Sequence, residues 1–175
     1  MSTDIEKNEL VLCLGRLKDS FFALHALISN TLNLKNTKKL STLSNKENED
    51  FWRIQLSILV EQVVLTHCKF IEVKDRYAKL IPDDERKLIN EYYTNQRVIS
   101  LRTFRNKCSG HLLDKKTKKP IETEDLQRLI CESFGENDIV NNIVPSFFNK
   151  DKPDDPNSLV NIIEVIINSF GSNGT

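Results

Sequence analysis

Residues 10–28, LVLCLGRLKDSFFALHALI, carry the pattern that decides the fold. The large apolar side chains of this stretch are spaced by 4, 3, 4, 3 and 4 residues: Leu10, Leu14, Leu17, Phe21, Leu24 and Ile28. Because an α-helix has about 3.6 residues per turn, these side chains lie along one stripe of its surface. The sequence therefore predicts a helix of about 20 residues or more, packed lengthwise against another element.

A second apolar stripe begins after a polar break at residues 36–50, NTKKLSTLSNKENED. Its members have the same helical spacing: Trp52, Leu56, Leu59, Val63, Phe70 and Val73. The break is rich in serine, asparagine and lysine, and serine and asparagine favour turns and helix caps. Two long helices joined by a short polar connection are predicted to form an antiparallel pair.

Further helices are predicted downstream. One begins after Pro82, with Asp83 as its N-terminal cap, and continues to Phe104. A short helix is predicted to follow a cap at Thr123. The last segment, residues 157–170, has many β-branched residues, which suit a strand, so its polar positions decide the assignment.

Those polar positions are Asn161, Glu164 and Asn168, spaced by 3 and 4 residues, which is typical of the wet face of a helix. No alternating strand pattern competes with a helical interpretation. We therefore predict an all-α fold, a bundle of four to five helices with a long antiparallel helix pair. Residues 1–175 are expected to form one domain with its core at about 5–170 and a flexible tail at 171–175.

The composition limits the possible partners. There are 25 basic and 25 acidic residues, so the molecule as a whole does not attract a polyanion or an anionic membrane. The four cysteines are scattered without a CxxC pair, which predicts free thiols in a reducing compartment. The N-terminus lacks a signal-peptide pattern and no apolar run approaches about 18 residues, so we expect a soluble, cytoplasmic protein without membrane attachment.

Positive charge is concentrated in residues 97–119, which hold eight basic residues and one acidic residue, a local charge of +7. The rest of the neutral chain therefore carries −7. Such a patch can hold a polyanion even on a neutral protein. We predict that RNA binds along its basic side chains: Arg102, Lys107, Lys115, Lys116, Lys118 and Lys119. The alternative is a solvated lysine loop without a ligand.

The same segment contains a candidate catalytic set, Arg105, Asn106 and His111, in the sequence RNKCSGH. On an unbroken helix, Arg105 and His111 would point roughly 120° apart, too far to share a target. Ser109 and Gly110 lie between them, and glycine commonly ends a helix. The chain can therefore turn and bring the imidazole back toward the guanidinium.

This set suits cleavage of a phosphodiester bond without a metal ion or other cofactor. A neutral imidazole can take the proton from a ribose 2′-hydroxyl or give one to the leaving 5′-oxygen. The arginine can hold the phosphate by two hydrogen bonds, and Asn106 can orient the substrate or the histidine. Because one histidine cannot easily act as base and acid at once, a symmetric dimer is predicted to supply a second copy.

The motif resembles that of the HEPN superfamily, in which an arginine, a polar residue such as asparagine, and then a histidine follow one another with four to six residues between arginine and histidine. Here RNKCSGH has five. In addition, residues 49–65, EDFWRIQLSILVEQVVL, resemble the second helix of abortive-infection-type HEPN proteins. The resemblance covers roughly residues 5–135.

The resemblance implies a dimeric, metal-independent endoribonuclease, often a toxin or phage-defence effector, with two motifs facing each other across a dimer cleft. Arg105 and His111 would be catalytic, Asn106 would support them, and an antitoxin or other partner protein is possible. In one branch a tyrosine two positions after the histidine is modified by a nucleotidyltransferase. That position is Leu113 here, so no modification site is predicted. Because some HEPN domains are inactive, the alternative is a helical domain of this fold that binds RNA or a protein partner.

Other chemistry-bearing residues have a structural interpretation. Cys108 and His111, with His67 and Cys68, are metal-binding residue types, but adjacent helical residues point about 100° apart and no second properly spaced pair exists, so no metal site is predicted. Packing positions are predicted for the remaining candidates, His25, Trp52, Tyr92 and Tyr93, and for His67. A third functional hypothesis is a dimerising helical adaptor unrelated to nucleic acid.

Overall fold

The computed structural model describes residues 2–37, 44–106, 123–134, 147–148 and 158–171 of the 175-residue chain. Within these ranges there are helices and no β-strand. The helices are α1 (Ser2–Thr37), α2 (Asn45–Arg76), α3 (Asp83–Tyr92), α4 (Asn95–Phe104), α5 (Thr123–Phe134) and α6 (Leu159–Gly171). The predicted all-α fold is confirmed, but the described ranges hold six helices and not the predicted four to five.

Helix α1 buries the apolar stripe that the sequence predicts. Leu10 and Phe21 are inaccessible to solvent, and the other four members of the stripe are buried as well. The helix is 36 residues long. Gly15 lies in its interior with open space where a Cβ would stand, so close packing does not require a glycine there.

Helices α1 and α2 run antiparallel. Near the start of α1, Glu9 accepts a hydrogen bond of 3.0 Å from the hydroxyl of Tyr77, which directly follows α2. Farther along α1, the ring of Phe21 lies 5.1 Å from that of His67, centroid to centroid. Residue numbers therefore rise on α1 as they fall on α2, which agrees with the predicted antiparallel pair.

Helix α2 begins at a reciprocal cap and buries the face that meets α1. The backbone N–H of Glu47 donates to the Ser44 hydroxyl at 3.3 Å, and the Ser44 N–H donates to the Glu47 carboxylate at 2.8 Å. These bonds satisfy two donors that a helix start leaves unpaired. Val63 and Phe70 of the predicted stripe are fully buried.

The predicted single helix from Pro82 to Phe104 is wrong, because the chain breaks between α3 and α4. Thr94 has an extended backbone, with φ −60° and ψ 154°, and its hydroxyl accepts a hydrogen bond of 3.3 Å from the N–H of Arg97. A threonine in this role starts a new helix. Tyr93, immediately before it, is buried in the core.

The prediction that Asp83 caps α3 is also wrong. Pro82 occupies the cap position, with φ −60° and ψ 160°, and its carbonyl accepts the first helical hydrogen bond from Arg86 N–H at 3.0 Å. Asp83 is the first helical residue, and its carboxylate pairs with the Arg86 side chain. Its negative charge still favours the N-terminal end of the helix dipole.

Helices α5 and α6 complete the described core. Arg97 on α4 donates from Nε to the Ser133 carbonyl of α5 at 2.6 Å. Helix α6 buries Leu159, Ile163 and Ile166, while Glu164 and Asn168 are exposed, as predicted for the wet face. The predicted cap at Thr123 depends on the side chain of Thr123, which the structure does not describe, although it describes the backbone there.

One helix within the described ranges, α2, is long and apolar enough to cross a membrane by length and composition. Of its most apolar window, 47% is buried inside the protein, and the core helix of a soluble protein passes the same test.

The cysteines within the described ranges, Cys13, Cys68 and Cys131, are free thiols, as predicted.

Candidate nucleic-acid interface

Arg105 directly follows α4, and its backbone N–H donates to the carbonyls of Arg102 and Leu101. The Arg105 guanidinium pairs with the carboxylate of Glu72 on α2, and its Nε donates to the side-chain carbonyl of Asn106 at 3.3 Å. One third of the Arg105 side chain, 33%, is exposed to solvent. The guanidinium is thus oriented and accessible.

Arg102 forms a second pair one helical turn earlier. Its Nη2 donates to the carboxylate of Asp75 on α2 at 2.6 Å. Lys74 lies 3.3 Å from the other oxygen of the same carboxylate. Two arginines three residues apart at the C-terminal end of α4 thus meet two carboxylates three residues apart on α2. We call these two pairs, Arg105–Glu72 and Arg102–Asp75, the arginine–carboxylate ladder.

The ladder compensates positive charges that the sequence alone suggests are free to bind a polyanion. Of the predicted RNA contacts, Arg102 faces a compensating carboxylate, and so does the predicted catalytic Arg105. Both pairs are solvent-exposed, and exposed pairs of this kind contribute only about 0–1 kcal/mol each. A phosphate, which accepts paired hydrogen bonds from a guanidinium, can therefore replace the carboxylate at small cost.

Glu72 and Asp75 are residues that sequence reasoning missed. The sequence does contain a signal: Glu72 and Asp75, in EVKDR on α2, are three residues apart, and so are Arg102 and Arg105 at the end of α4. It can be used only when α2 and α4 are known to be neighbours. Their contact includes the thiol of Cys68, 3.6 Å from the carbonyl oxygen of Leu101.

Cys68 beneath the ladder is a packing residue. It is 2% exposed, and burial raises the pKa of its thiol, while the Arg105 cation acts in the opposite direction more weakly. A neutral, buried thiol is neither a nucleophile nor a metal ligand. The described part of the chain contains no group of three or more His, Cys, Asp or Glu residues that could hold a metal ion.

Several predicted site residues lie outside the described residues: Lys107, His111, Lys115, Lys116, Lys118 and Lys119. Ser109 and Gly110, which are predicted to turn the chain, also lie outside them. The approach of His111 to Arg105 therefore stays a prediction. Of the predicted set, Arg102, Arg105 and Asn106 are described, and they lie together at the end of α4.

A pocket of about 270 Å³ lies beside the ladder, lined by Lys74, Asp75, Ala78, Arg86, Ile89 and Asn90. Asp75 belongs to both features. The pocket is bordered by the last turns of α2 and by α3, and nothing in the sequence pattern singled it out.

His67 is a core residue, as predicted. It is inaccessible to solvent, its Nδ1 shares a hydrogen bond of 2.6 Å with the Tyr93 hydroxyl, and the rings of Phe21 and Phe134 lie 5.1 and 5.4 Å away. Burial, with a smaller effect of the Arg97 cation, holds the pKa of His67 well below its ordinary value. His67 is thus neutral and remote from any reactive role.

Comparison with known proteins identifies no relative: no protein-family model, no curated protein and no solved structure matches the chain.

Proposed function

We propose that the chain is a metal-independent endoribonuclease of the HEPN type, acting in the cytoplasm as a toxin or phage-defence effector. The observation that supports this best is the position of Arg105. Its guanidinium stands at the end of α4, one-third exposed, oriented by Glu72 and adjacent to Asn106. A catalytic motif of arginine, asparagine and histidine requires an arginine whose guanidinium is held in place and can still bind a phosphate.

In the proposed reaction, a scissile phosphate displaces Glu72 and accepts two hydrogen bonds from Arg105. His111 then takes the proton from the 2′-hydroxyl, and the 2′-oxygen attacks the phosphorus. The P–O5′ bond breaks, the 5′-oxygen leaves with a proton from the second copy of His111, and a 2′,3′-cyclic phosphate remains. Arg105 stabilises the charge that develops on the phosphate oxygens.

An exposed apolar stripe on α2 supports the dimer that this reaction requires. Phe51, Ile54 and Ile58 are 37%, 53% and 48% exposed. Continuing from Ile58 in steps of seven residues leads to half-buried Leu65 and then to Glu72 of the ladder. We call Phe51, Ile54, Ile58 and Leu65 the α2 stripe. Seven-residue spacing of apolar side chains is typical of a helix–helix seam.

The relative direction of the two α2 helices matters for the shared site. If they packed antiparallel about Ile58, the two Glu72 residues would be 28 residues apart along the seam, or about 42 Å at 1.5 Å per residue. Two active-site motifs at that distance cannot share one phosphate. The proposal therefore requires the helices to run parallel, or to cross near Glu72.

The deciding experiment incubates the purified protein with RNA in EDTA, beside Arg105→Ala and His111→Ala. Wild type is expected to yield 2′,3′-cyclic phosphate ends, and both variants to lose cleavage. Arg53→Ala is the matched control, because Arg53 also makes one exposed ion pair, with Asp50 at 3.1 Å, at the far end of α2. Cleavage that survives both motif changes, or that needs added metal, rejects the mechanism.

The second candidate is an inactive helical domain of the same fold that binds RNA or a protein partner. The ladder favours it, because two satisfied arginine–carboxylate pairs are also what a purely structural α2–α4 contact would contain. RNA binding without cleavage, weakening steeply with salt, would support this alternative. Binding that is insensitive to salt would count against both RNA hypotheses.

A further inference from the structure

One face of α2 changes character along its length. In the N-terminal half this face is the apolar α2 stripe, and in the C-terminal half it carries Lys69, Glu72 and Arg76. Each residue of an α-helix turns by about 100°, so Lys69 and Arg76 lie within about 60° of Glu72 around the helix. Both cations are exposed, and they therefore stand beside the carboxylate that pairs with Arg105.

Neither of these two cations has a strong partner. Lys69 forms no ion pair within the described ranges. Arg76 is 72% exposed, and its guanidinium lies 3.9 Å from the carboxylate of Glu9, which already accepts a hydrogen bond of 3.0 Å from the Tyr77 hydroxyl. The guanidinium also lies over the Tyr77 ring, 5.1 Å from its centroid, a contact that does not occupy its N–H donors. An exposed ion pair of this length contributes little to stability, so the charge of both side chains is available to an anion.

We propose that single-stranded RNA lies along this charged face of α2, with Lys69 and Arg76 holding the two phosphates next to the one on Arg105. Along the helix axis, Lys69 is about 4.5 Å before Glu72 and Arg76 is about 6 Å after it. Cations at such intervals can follow the backbone of an extended strand, and their long side chains adjust the fit. The inference deepens the proposed function and rests on it for the identity of the central phosphate.

A single strand suits this face better than a duplex. Attack of a 2′-oxygen in line with the leaving 5′-oxygen requires a backbone that is free to rotate, which a single strand has and a duplex lacks. The proposed dimer also brings the charged halves of two α2 helices together, because they run parallel or cross near Glu72. Like charges at close range repel each other, so a polyanion between them favours the same arrangement that a shared catalytic site requires.

The first test is the salt dependence of RNA binding, measured in EDTA with a single-stranded oligonucleotide and the His111→Ala protein. Each phosphate contact to a single strand contributes about 0.7 to the slope of log K against log salt concentration. Adding Lys69→Ala or Arg76→Ala should therefore reduce the slope by about 0.7, while Arg76→Lys, which keeps the charge, should retain it. A duplex of the same sequence should bind more weakly.

Two matched controls lie at the other end of α2. Lys46 is an exposed lysine that, like Lys69, forms no ion pair within the described ranges. Arg53 is 72% exposed, as Arg76 is, and has one carboxylate partner, Asp50 at 3.1 Å. Lys46→Ala and Arg53→Ala should leave the slope unchanged.

The second test places a neutral methylphosphonate at either linkage next to the cleaved one. Lys69→Ala should lose its effect on affinity when one of these linkages is neutral, and Arg76→Ala when the other is, because a contact that is already absent cannot be lost again. Sensitivity of both variants to the same linkage would overturn the proposed path.

Other results would also overturn the inference: unchanged slopes in Lys69→Ala and Arg76→Ala, equal losses in the two controls, or a duplex that binds as tightly as the single strand. Cleavage and binding fail separately. Reduced slopes in Lys69→Ala and Arg76→Ala of a protein that never cleaves RNA would reject the nuclease proposal and support the RNA surface.

Discussion

At the scale of the residue, the burial of His67 makes the stability of the fold dependent on pH. The native state holds the pKa of this imidazole well below the ordinary value of 6.5, chiefly through burial. In the unfolded chain the imidazole takes up a proton as the pH falls through 6.5, whereas in the native state it does not. The unfolded state then binds more protons, so the contribution of His67 to stability is present above pH 6.5 and is lost below it.

The first prediction is that the free energy of unfolding falls by about 1 kcal/mol between pH 6.5 and 5.5 because of this one group. Urea denaturation at several pH values measures it. The double variant His67→Leu with Tyr93→Phe replaces the polar pair by apolar side chains and should have a flatter pH profile. Equal slopes in wild type and in the double variant would contradict this account.

The second prediction concerns Tyr93, whose pKa is raised well above its ordinary value by burial, with a smaller effect of Tyr92. Tyr93→Phe removes the hydroxyl that shares a hydrogen bond with His67, leaving a buried nitrogen unsatisfied. We expect a loss of about 1–3 kcal/mol in unfolding free energy. Tyr77→Phe is the control, because the partner of Tyr77 is the exposed carboxylate of Glu9. A loss no larger than the control's would mean that water or another group replaces the hydroxyl.

At the scale of the element, the sequence predicted helices better than their ends. Spacings of 3 and 4 residues identified the buried face of α1 correctly, because periodicity reports which side of a helix avoids water. Periodicity did not reveal the break at Thr94, because Leu88, Leu101 and other apolar residues on both sides of it fit a helical pattern. A single side-chain hydrogen bond to Arg97 N–H, together with the burial of Tyr93, ends one helix and begins the next.

The third prediction tests this cap. Thr94→Ala removes the hydroxyl acceptor and should cost about 1 kcal/mol of unfolding free energy, whereas Thr94→Ser keeps an acceptor and should cost much less. Thermal denaturation of the three proteins measures the difference. Equal losses in the two variants would assign the effect to side-chain packing instead of to the cap.

The fourth prediction uses the open space at Gly15. Because a Cβ there would meet no neighbouring atom within 4 Å, Gly15→Ala should stabilise the protein by about 0.4–1 kcal/mol through the better helix propensity of alanine and a less flexible unfolded chain. A shift of the urea midpoint to higher concentration checks it. Destabilisation would show that this position contacts a segment outside the described residues.

The candidate site was predictable only in part, and the reason is also found at this scale. Arg105 and Asn106 belong to a motif of neighbouring residues, and such a motif can be recognised in the sequence without knowledge of the fold. Glu72 lies 33 positions before Arg105, so its pairing depends on how α2 and α4 pack. Distances of that kind come from tertiary structure, which composition and spacing do not encode.

At the scale of the whole molecule, the α2 stripe yields the fifth prediction. Ile54→Glu should convert the proposed dimer to a monomer and abolish cleavage, because it places a charge in an apolar seam. Leu27→Glu, at a 53% exposed position on α1, is the matched control and should leave both properties unchanged. Sedimentation equilibrium gives the mass of each protein. A dimer that survives Ile54→Glu, or dissociates in Leu27→Glu, would place the interface elsewhere.

The length of α1 has a hydrodynamic consequence. A straight helix of 36 residues is about 54 Å long, whereas a sphere with the radius of gyration of a compact chain of this size, about 16 Å, is about 41 Å across. Paired with α2, which has 32 residues, it makes the described part of the chain longer than such a sphere is wide. The monomer should therefore sediment more slowly and scatter at smaller angles than a sphere of equal mass, tumbling as a short rod.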